Sequence, residues 1–126
     1  MTGVQTCALP ISGHNPAYLF RSVTGKIEKL RSDAHFLGMF DSASYPPRTF
    51  RLDKGDILVV YSDGLTDAQN PGEEMFGEER LLNLIRQEAP SGSRALEQKF
   101  LQAIEEFTQG TPQTDDITFV VVEKCQ

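Results

Sequence analysis

Hydrophobic positions come in short runs through the first half of the chain and in two helical stripes through the second. Tyr18-Leu19-Phe20 and Ile27 to Leu30 are strand-like runs on either side of Thr24-Gly25, which predicts a hairpin. Gly13-His14-Asn15-Pro16 before them reads as a turn, because Asn-Pro disfavours helix. Ala34 to Phe40 is apolar around a central Gly and fits a strand or a packed loop. Pro46-Pro47 breaks the chain ahead of Thr49 to Leu52, whose alternation suits an edge strand. Asp53-Lys54-Gly55-Asp56 is turn chemistry. Ile57 to Ser62 then lacks a polar position of either parity until Ser62, the mark of a strand buried on both faces.

Beyond the loop Ala68 to Gly72, the period changes. Leu81, Leu82 and Ile85 predict a helix over Glu78 to Glu88, stopped by Pro90. Ser93 is the expected N-cap of a second helix. Its stripe of Leu96, Phe100, Ala103, Ile104 and Phe107 should face a sheet, with Gly110 as its stop. Ile117 to Val122 is a closing strand rich in β-branched residues. Strand and helix runs that segregate in this way predict an α+β fold with antiparallel sheet and two helices. No internal repeat is visible.

At 126 residues the chain has room for one domain. Its formal charge of −6 argues against binding to a nucleic-acid backbone, which needs clustered Lys and Arg. An acidic balance is compatible with carboxylates gathered around divalent cations. No apolar run is long enough to predict a membrane segment. Two cysteines near opposite ends make no disulfide framework, so a cytoplasmic location is expected. Residues 1–11 (MTGVQTCALPI) are uncharged, show no periodicity and lack the basic start of a signal peptide. They match the translation of a common sequencing-library adapter read from a GTG start codon. The expected organisation is therefore a non-native leader over 1–11 and the native sequence over 12–126. The apolar stretch Ala8 to Ile11 is expected to lie against the strand at Tyr18.

Several chemistries are missing from the sequence. Two histidines, His14 and His35, form no zinc motif, and there is no P-loop or nucleophile elbow. What remains are carboxylates at the ends of apolar strands. Asp63-Gly64 follows Ile57 to Ser62, and Asp115-Asp116 precedes Ile117 to Val122. Each pair alone is most simply a turn. On adjacent antiparallel strands, however, two acidic ends can point at one spot, which is how oxygen-only Mg²⁺ or Mn²⁺ sites are assembled.

SGHNPAYL, the Leu37-Gly38 pair, LDKGDILVVYSDGLTDAQNPGEEMFGEERL and TDDITFVVVE occur here in one order. Together they resemble the C-terminal half of a PPM-type (type 2C-like) serine/threonine phosphatase, in the bacterial branch named for sporulation stage II protein E. The resemblance implies a truncated α-β-β-α sandwich. It also implies hydrolysis of phosphoserine or phosphothreonine supported by two Mn²⁺ or Mg²⁺ ions. Carried over residue by residue, it makes Asp63 and Asp115 metal ligands and Asp116 a weaker ligand, with Gly64 and Thr118 supporting. His14 and Asp56 match motif positions of structural type, and Ser62 and Asp67 stand where relatives often have Thr and Glu.

The family's earlier metal-bridging Asp-Gly motif has no counterpart before Ser12, and neither Asp33 nor Asp41 matches it. About half a metal site is therefore expected, and an inactive fragment of an active parent. By family analogy the substrate is a phosphorylated signalling protein, such as an anti-anti-sigma factor in sigma-factor regulation. The alternative is a non-catalytic pseudophosphatase that binds a phosphoprotein without hydrolysing it.

Overall fold

The computed structural model describes residues 5–9, 15–31, 41 and 48–126. Among the described residues six strands and three α-helices follow in order: β1 (Gln5–Leu9), β2 (Ala17–Phe20), β3 (Ile27–Leu30), β4 (Arg48–Leu52), β5 (Ile57–Tyr61), α1 (Asp63–Thr66), α2 (Gly77–Glu88), α3 (Ser93–Thr108) and β6 (Phe119–Glu123). Mixed helix and antiparallel sheet is the class that the segregated runs predict. The predicted hairpin is β2–β3, and Gly25 sits in its turn with φ +71°. Ala34 to Phe40, Leu37-Gly38, His14 and Asp33 lie outside the described residues.

β5 is the centre of the architecture. Four strands order as β3-β2-β5-β6, all antiparallel, and β5 is buried along nearly its whole length. One face of this sheet meets α2 and α3 through Tyr18, Phe20, Ile57, Val59 and Tyr61 against Leu81, Ile85, Leu96 and Phe100. Ala17, Leu19 and Leu58 on the other face pack with Leu52 of β4. The helical stripe behaves as predicted. Leu96 and Phe100 are fully buried, Phe100 meets the Phe119 ring edge-on at 5.2 Å, and Ala103, Ile104 and Phe107 pack partly buried around them.

Three details differ from expectation. Gln5–Leu9 pairs with β4, from Gln5 opposite Leu52 to Leu9 opposite Arg48, and not with the strand at Tyr18. Both edges of β2 are already taken by β3 and β5, whereas among the described residues β4 pairs with no strand but β1. The N-cap of α3 is Gly92, at φ +102°, not Ser93; the Ser93 hydroxyl instead lies 3.4 Å from a Glu123 carboxylate oxygen. Besides the two predicted helices, the chain after Ser62 winds into the single turn α1, and Ala89–Ser91 forms a 3₁₀ turn where Pro90 ends α2.

One buried carboxylate fixes the turns at the far end of β5. Asp56 is 1% exposed. Its Oδ1 accepts the Ser22 N–H at 2.9 Å, and its Oδ2 accepts the Asp53 N–H at 2.9 Å and Arg21 Nη1 at 2.8 Å. Burial pushes this carboxyl up, but the two N–H donors and the guanidinium outweigh it and hold its pKa below the usual value. The β2–β3 turn, the β4–β5 turn and, through Lys124 N–H on the Asp56 carbonyl, the end of β6 are tied together here. Asp56 is thus structural, in keeping with its place in turn chemistry.

Candidate metal centre

The opposite end of β5 carries the candidate site. β5 and β6 pair from Ile57 opposite Glu123 to Tyr61 opposite Phe119, so the chain leaving β5 and the chain entering β6 emerge side by side. Asp63 opens α1, and Asp115-Asp116 lies in the loop before β6. The antiparallel ladder alone explains why segments so distant in sequence meet.

Side chains then lock them. Ser62 N–H donates to the Thr118 carbonyl at 2.8 Å, and Thr118 N–H donates to Ser62 Oγ at 3.0 Å. The Ser62 hydroxyl donates in turn to the Asp116 carbonyl at 3.2 Å. A Cβ on Gly64 would stand 2.0 Å from that same carbonyl oxygen, so only glycine lets the two segments touch. Asp115 accepts the Asp116 N–H on its own Oδ1 at 2.8 Å, and its carbonyl accepts Gln113 Nε2 at 2.7 Å, which stiffens the acidic loop. Asp63, Asp115, Asp116 and Thr118 are solvent-exposed, whereas Gly64 is buried. A cavity of about 100 Å³ opens beside them, lined by Gly64, Gln69, Thr111, Thr114, Asp115 and Ile117 among others.

The electrostatics of this end show in Tyr61. Its ring stacks on Tyr18, with centroids 6.0 Å apart. Burial raises its phenol pKa, and the neighbouring Asp63 carboxylate raises it further. The donors exposed at the junction are carboxylate and carbonyl oxygens, the ligand type that Mn²⁺ and Mg²⁺ take, so the residues fit such an ion in kind. Among the described residues, no three His, Cys, Asp or Glu side chains gather closely enough to hold a metal.

Sequence reasoning named Asp63, Gly64, Asp115, Asp116 and Thr118, and the fold brings their backbones to one place. In the sequence Ser62 is only a mild departure from pattern, yet among the described residues it makes three hydrogen bonds that join the segments. Its signal was its position as the first polar residue after an apolar strand. Thr118 contributes here through its backbone. Asp41 is exposed, and Asp67 caps α1 by donating its N–H to the Asp63 carbonyl.

The chain is 30% identical over 111 residues to protein IcfG of Synechocystis sp., which covers 88% of this chain and 17% of that protein. It superimposes on the SiaA-PP2C domain of Pseudomonas aeruginosa with a TM-score of 0.72 at 21% identity, covering 86% of this chain and 42% of that one. The Mn-presoaked phosphatase domain of the cell fate determinant SpoIIE from Bacillus subtilis gives a TM-score of 0.64 at 14% identity, covering 97% and 56%. The chain thus spans about half of these solved domains, and they share its fold. Among the described residues, no helix is long and apolar enough to cross a membrane. The family model of stage II sporulation protein E (SpoIIE) matches residues 4–124, and over that span the chain belongs to this family of PP2C-like phosphatases.

Proposed function

We propose that residues 12–126 are the C-terminal part of a metal-dependent phosphoserine/phosphothreonine protein phosphatase of bacterial cytoplasmic signalling. In this reading Asp63 and Asp115 hold Mn²⁺ or Mg²⁺, Asp116 assists, and Gly64 and Thr118 keep the ligands in place. The observation that carries it is the contact of Gly64 with the Asp116 carbonyl, reinforced by Ser62. Two isolated turns would have no reason to be fused so closely that a single methyl group is excluded. Residues 1–11 remain, in this reading, a leader of foreign origin whose strand pairs with β4.

The metal, when bound, would supply water activation and charge neutralisation at the phosphoryl group. The chain's own residues would present carboxylate oxygens from the start of α1 and from the loop before β6, two segments that the backbone holds side by side. The proposed substrate is a phosphorylated protein, with an anti-anti-sigma factor as the class suggested by family resemblance. Too few carboxylates meet here to hold two ions, so the 126-residue chain binds a divalent cation weakly and turnover belongs to the complete domain.

Electron paramagnetic resonance of Mn²⁺ titrated into the chain tests the proposal. Binding should weaken at least about tenfold in Asp63→Asn and in Asp115→Asn, the loss expected when a ligand is removed. Unchanged binding in both variants would overturn the metal assignment. A phosphopeptide bound equally well with and without Mn²⁺ would favour the non-catalytic reading instead.

A further inference from the structure

The cavity beside the candidate metal centre has a size and a charge that select what enters it. Gly64 and Asp115 stand both in its wall and at the junction of α1 with the acidic loop. Successive residues of a polypeptide are only about 3.8 Å apart at their Cα atoms. A chain that placed a phosphorylated residue at the junction would therefore bring a flanking side chain to this cavity. All of its walls lie between Gly64 and Ile117, within one continuous stretch of sequence.

Those walls are braced by hydrogen bonds of their own. Phe76 N–H donates to the Ala68 carbonyl at 2.7 Å, and Thr111 N–H donates to the Thr108 carbonyl at 2.8 Å. Thr108 Oγ1 donates to the Ile104 carbonyl at 2.9 Å, which ties the end of α3, and Gln113 Nε2 fixes the acidic loop through the Asp115 carbonyl. A site held in this way loses little freedom on being filled.

Size is the first selector. The cavity measures about 100 Å³, less than the roughly 150 Å³ that encloses a benzene ring, so aromatic side chains are too large and a short branched one fits. Charge is the second. No Lys or Arg stands in the wall, and Asp115 is its one ionised group, so an acidic side chain is repelled. A lysine would compete with the metal for that same carboxylate. Ile104, Pro112 and Ile117 supply apolar surface, while the side chains of Gln69, Thr111 and Thr114 make no hydrogen bond among the described residues.

We infer that this cavity is a specificity subsite for the residue flanking the phosphorylated one, and that it selects a short, branched, uncharged side chain such as that of valine or threonine. The inference rests on the phosphatase reading of the junction and adds to it a substrate class. Thr111 and Thr114 are then specificity-determining residues, apart from the metal ligands themselves.

Nuclear magnetic resonance of the ¹⁵N-labelled 126-residue chain in excess Mg²⁺ tests it. The probes are phosphoserine peptides of the form Ala-X-pSer-X-Ala, with X as valine, glutamate or phenylalanine. The valine peptide should shift the amide signals of Gly64, Thr111 and residues 113–117. It should bind at least about fivefold more tightly than either of the others, the discrimination given by one or two buried methyl groups. Thr111→Phe, which fills the cavity, should abolish that preference and leave Mn²⁺ binding unchanged by electron paramagnetic resonance. Thr114→Phe, at an exposed position of the same wall, is the second variant should the first disturb the circular dichroism spectrum. Equal affinity for the three peptides, binding by none of them, shifts confined to other residues, or a preference untouched by both variants would overturn the subsite. Each of these leaves the metal assignment standing if Mn²⁺ binding still depends on Asp63. Mn²⁺ binding indifferent to Asp63→Asn and Asp115→Asn would instead overturn the metal assignment, and the subsite with it.

Discussion

The missing side chain of Gly64 is occupied by the backbone carbonyl of Asp116, which lies 2.0 Å from where a Cβ would stand. Gly64 has an ordinary helical place in α1, so conformational freedom is not what selects glycine here. A helical Gly→Ala change normally stabilises by about 1 kcal/mol. Gly64→Ala should instead destabilise, by about 1–3 kcal/mol, because backbone must move. Urea unfolding of the two proteins decides the sign, and a gain in stability would mean that the acidic loop does not pack on α1.

Asp56 sets the acid limit of the fold. Its folded pKa is depressed, so the stability it contributes is complete above its unfolded value near 4 and is lost as pH falls through the lower folded value. Stability should therefore fall from about pH 4 downward. Asp56→Ala should flatten that fall and cost about 2–4 kcal/mol at pH 7. The figure stays below that of a fully buried pair because Arg21 is 22% exposed and can rehydrate. Unfolding curves from pH 3 to pH 7 for both proteins test it, and a steep acid limb retained in the variant would point to another group.

Phe100 anchors α3 to the sheet. It is fully buried and meets Phe119 edge-on at 5.2 Å. Phe100→Ala should cost about 3–5 kcal/mol, combining lost transfer energy with an unfilled cavity. A measured loss below about 1 kcal/mol would show that the helix docks by another face.

In the proposed function, catalysis requires more carboxylates than meet at this junction. In an assay with Mn²⁺ on para-nitrophenyl phosphate and on a phosphoserine peptide, the 126-residue chain should show no turnover above background, because a water held by one weak ion lacks the two-cation clamp. Turnover that vanishes in Asp63→Asn would show that these ligands suffice by themselves.

The elements were legible because each carries a local signal. The apolar run of β5, the stripe Leu96-Phe100-Phe107 and the turn residues around Gly25 and Gly55 obey periods and backbone limits that hold anywhere. The carboxylates were legible too, as Asp63 before Gly64 and as the pair Asp115-Asp116, each beside an apolar strand. For Ser62 the local signal, the first polar residue after an apolar strand, marks the strand's end but not what its hydroxyl bonds. Its importance comes from a carbonyl and an N–H supplied by residues far along the chain.

Sequence by itself determined strands β2 to β6, the two long helices, the main turns and which acidic residues stand at strand ends, since those follow from side-chain period and backbone sterics; it did not give β1 or the single turn α1. Tertiary structure decided that β5 and β6 are neighbours, that Gly64 must be bare to admit the Asp116 carbonyl, and that Gln5–Leu9 takes the edge of β4. Pairing between strands depends on which edges remain free once the sheet has closed, and no local pattern in the chain encodes that.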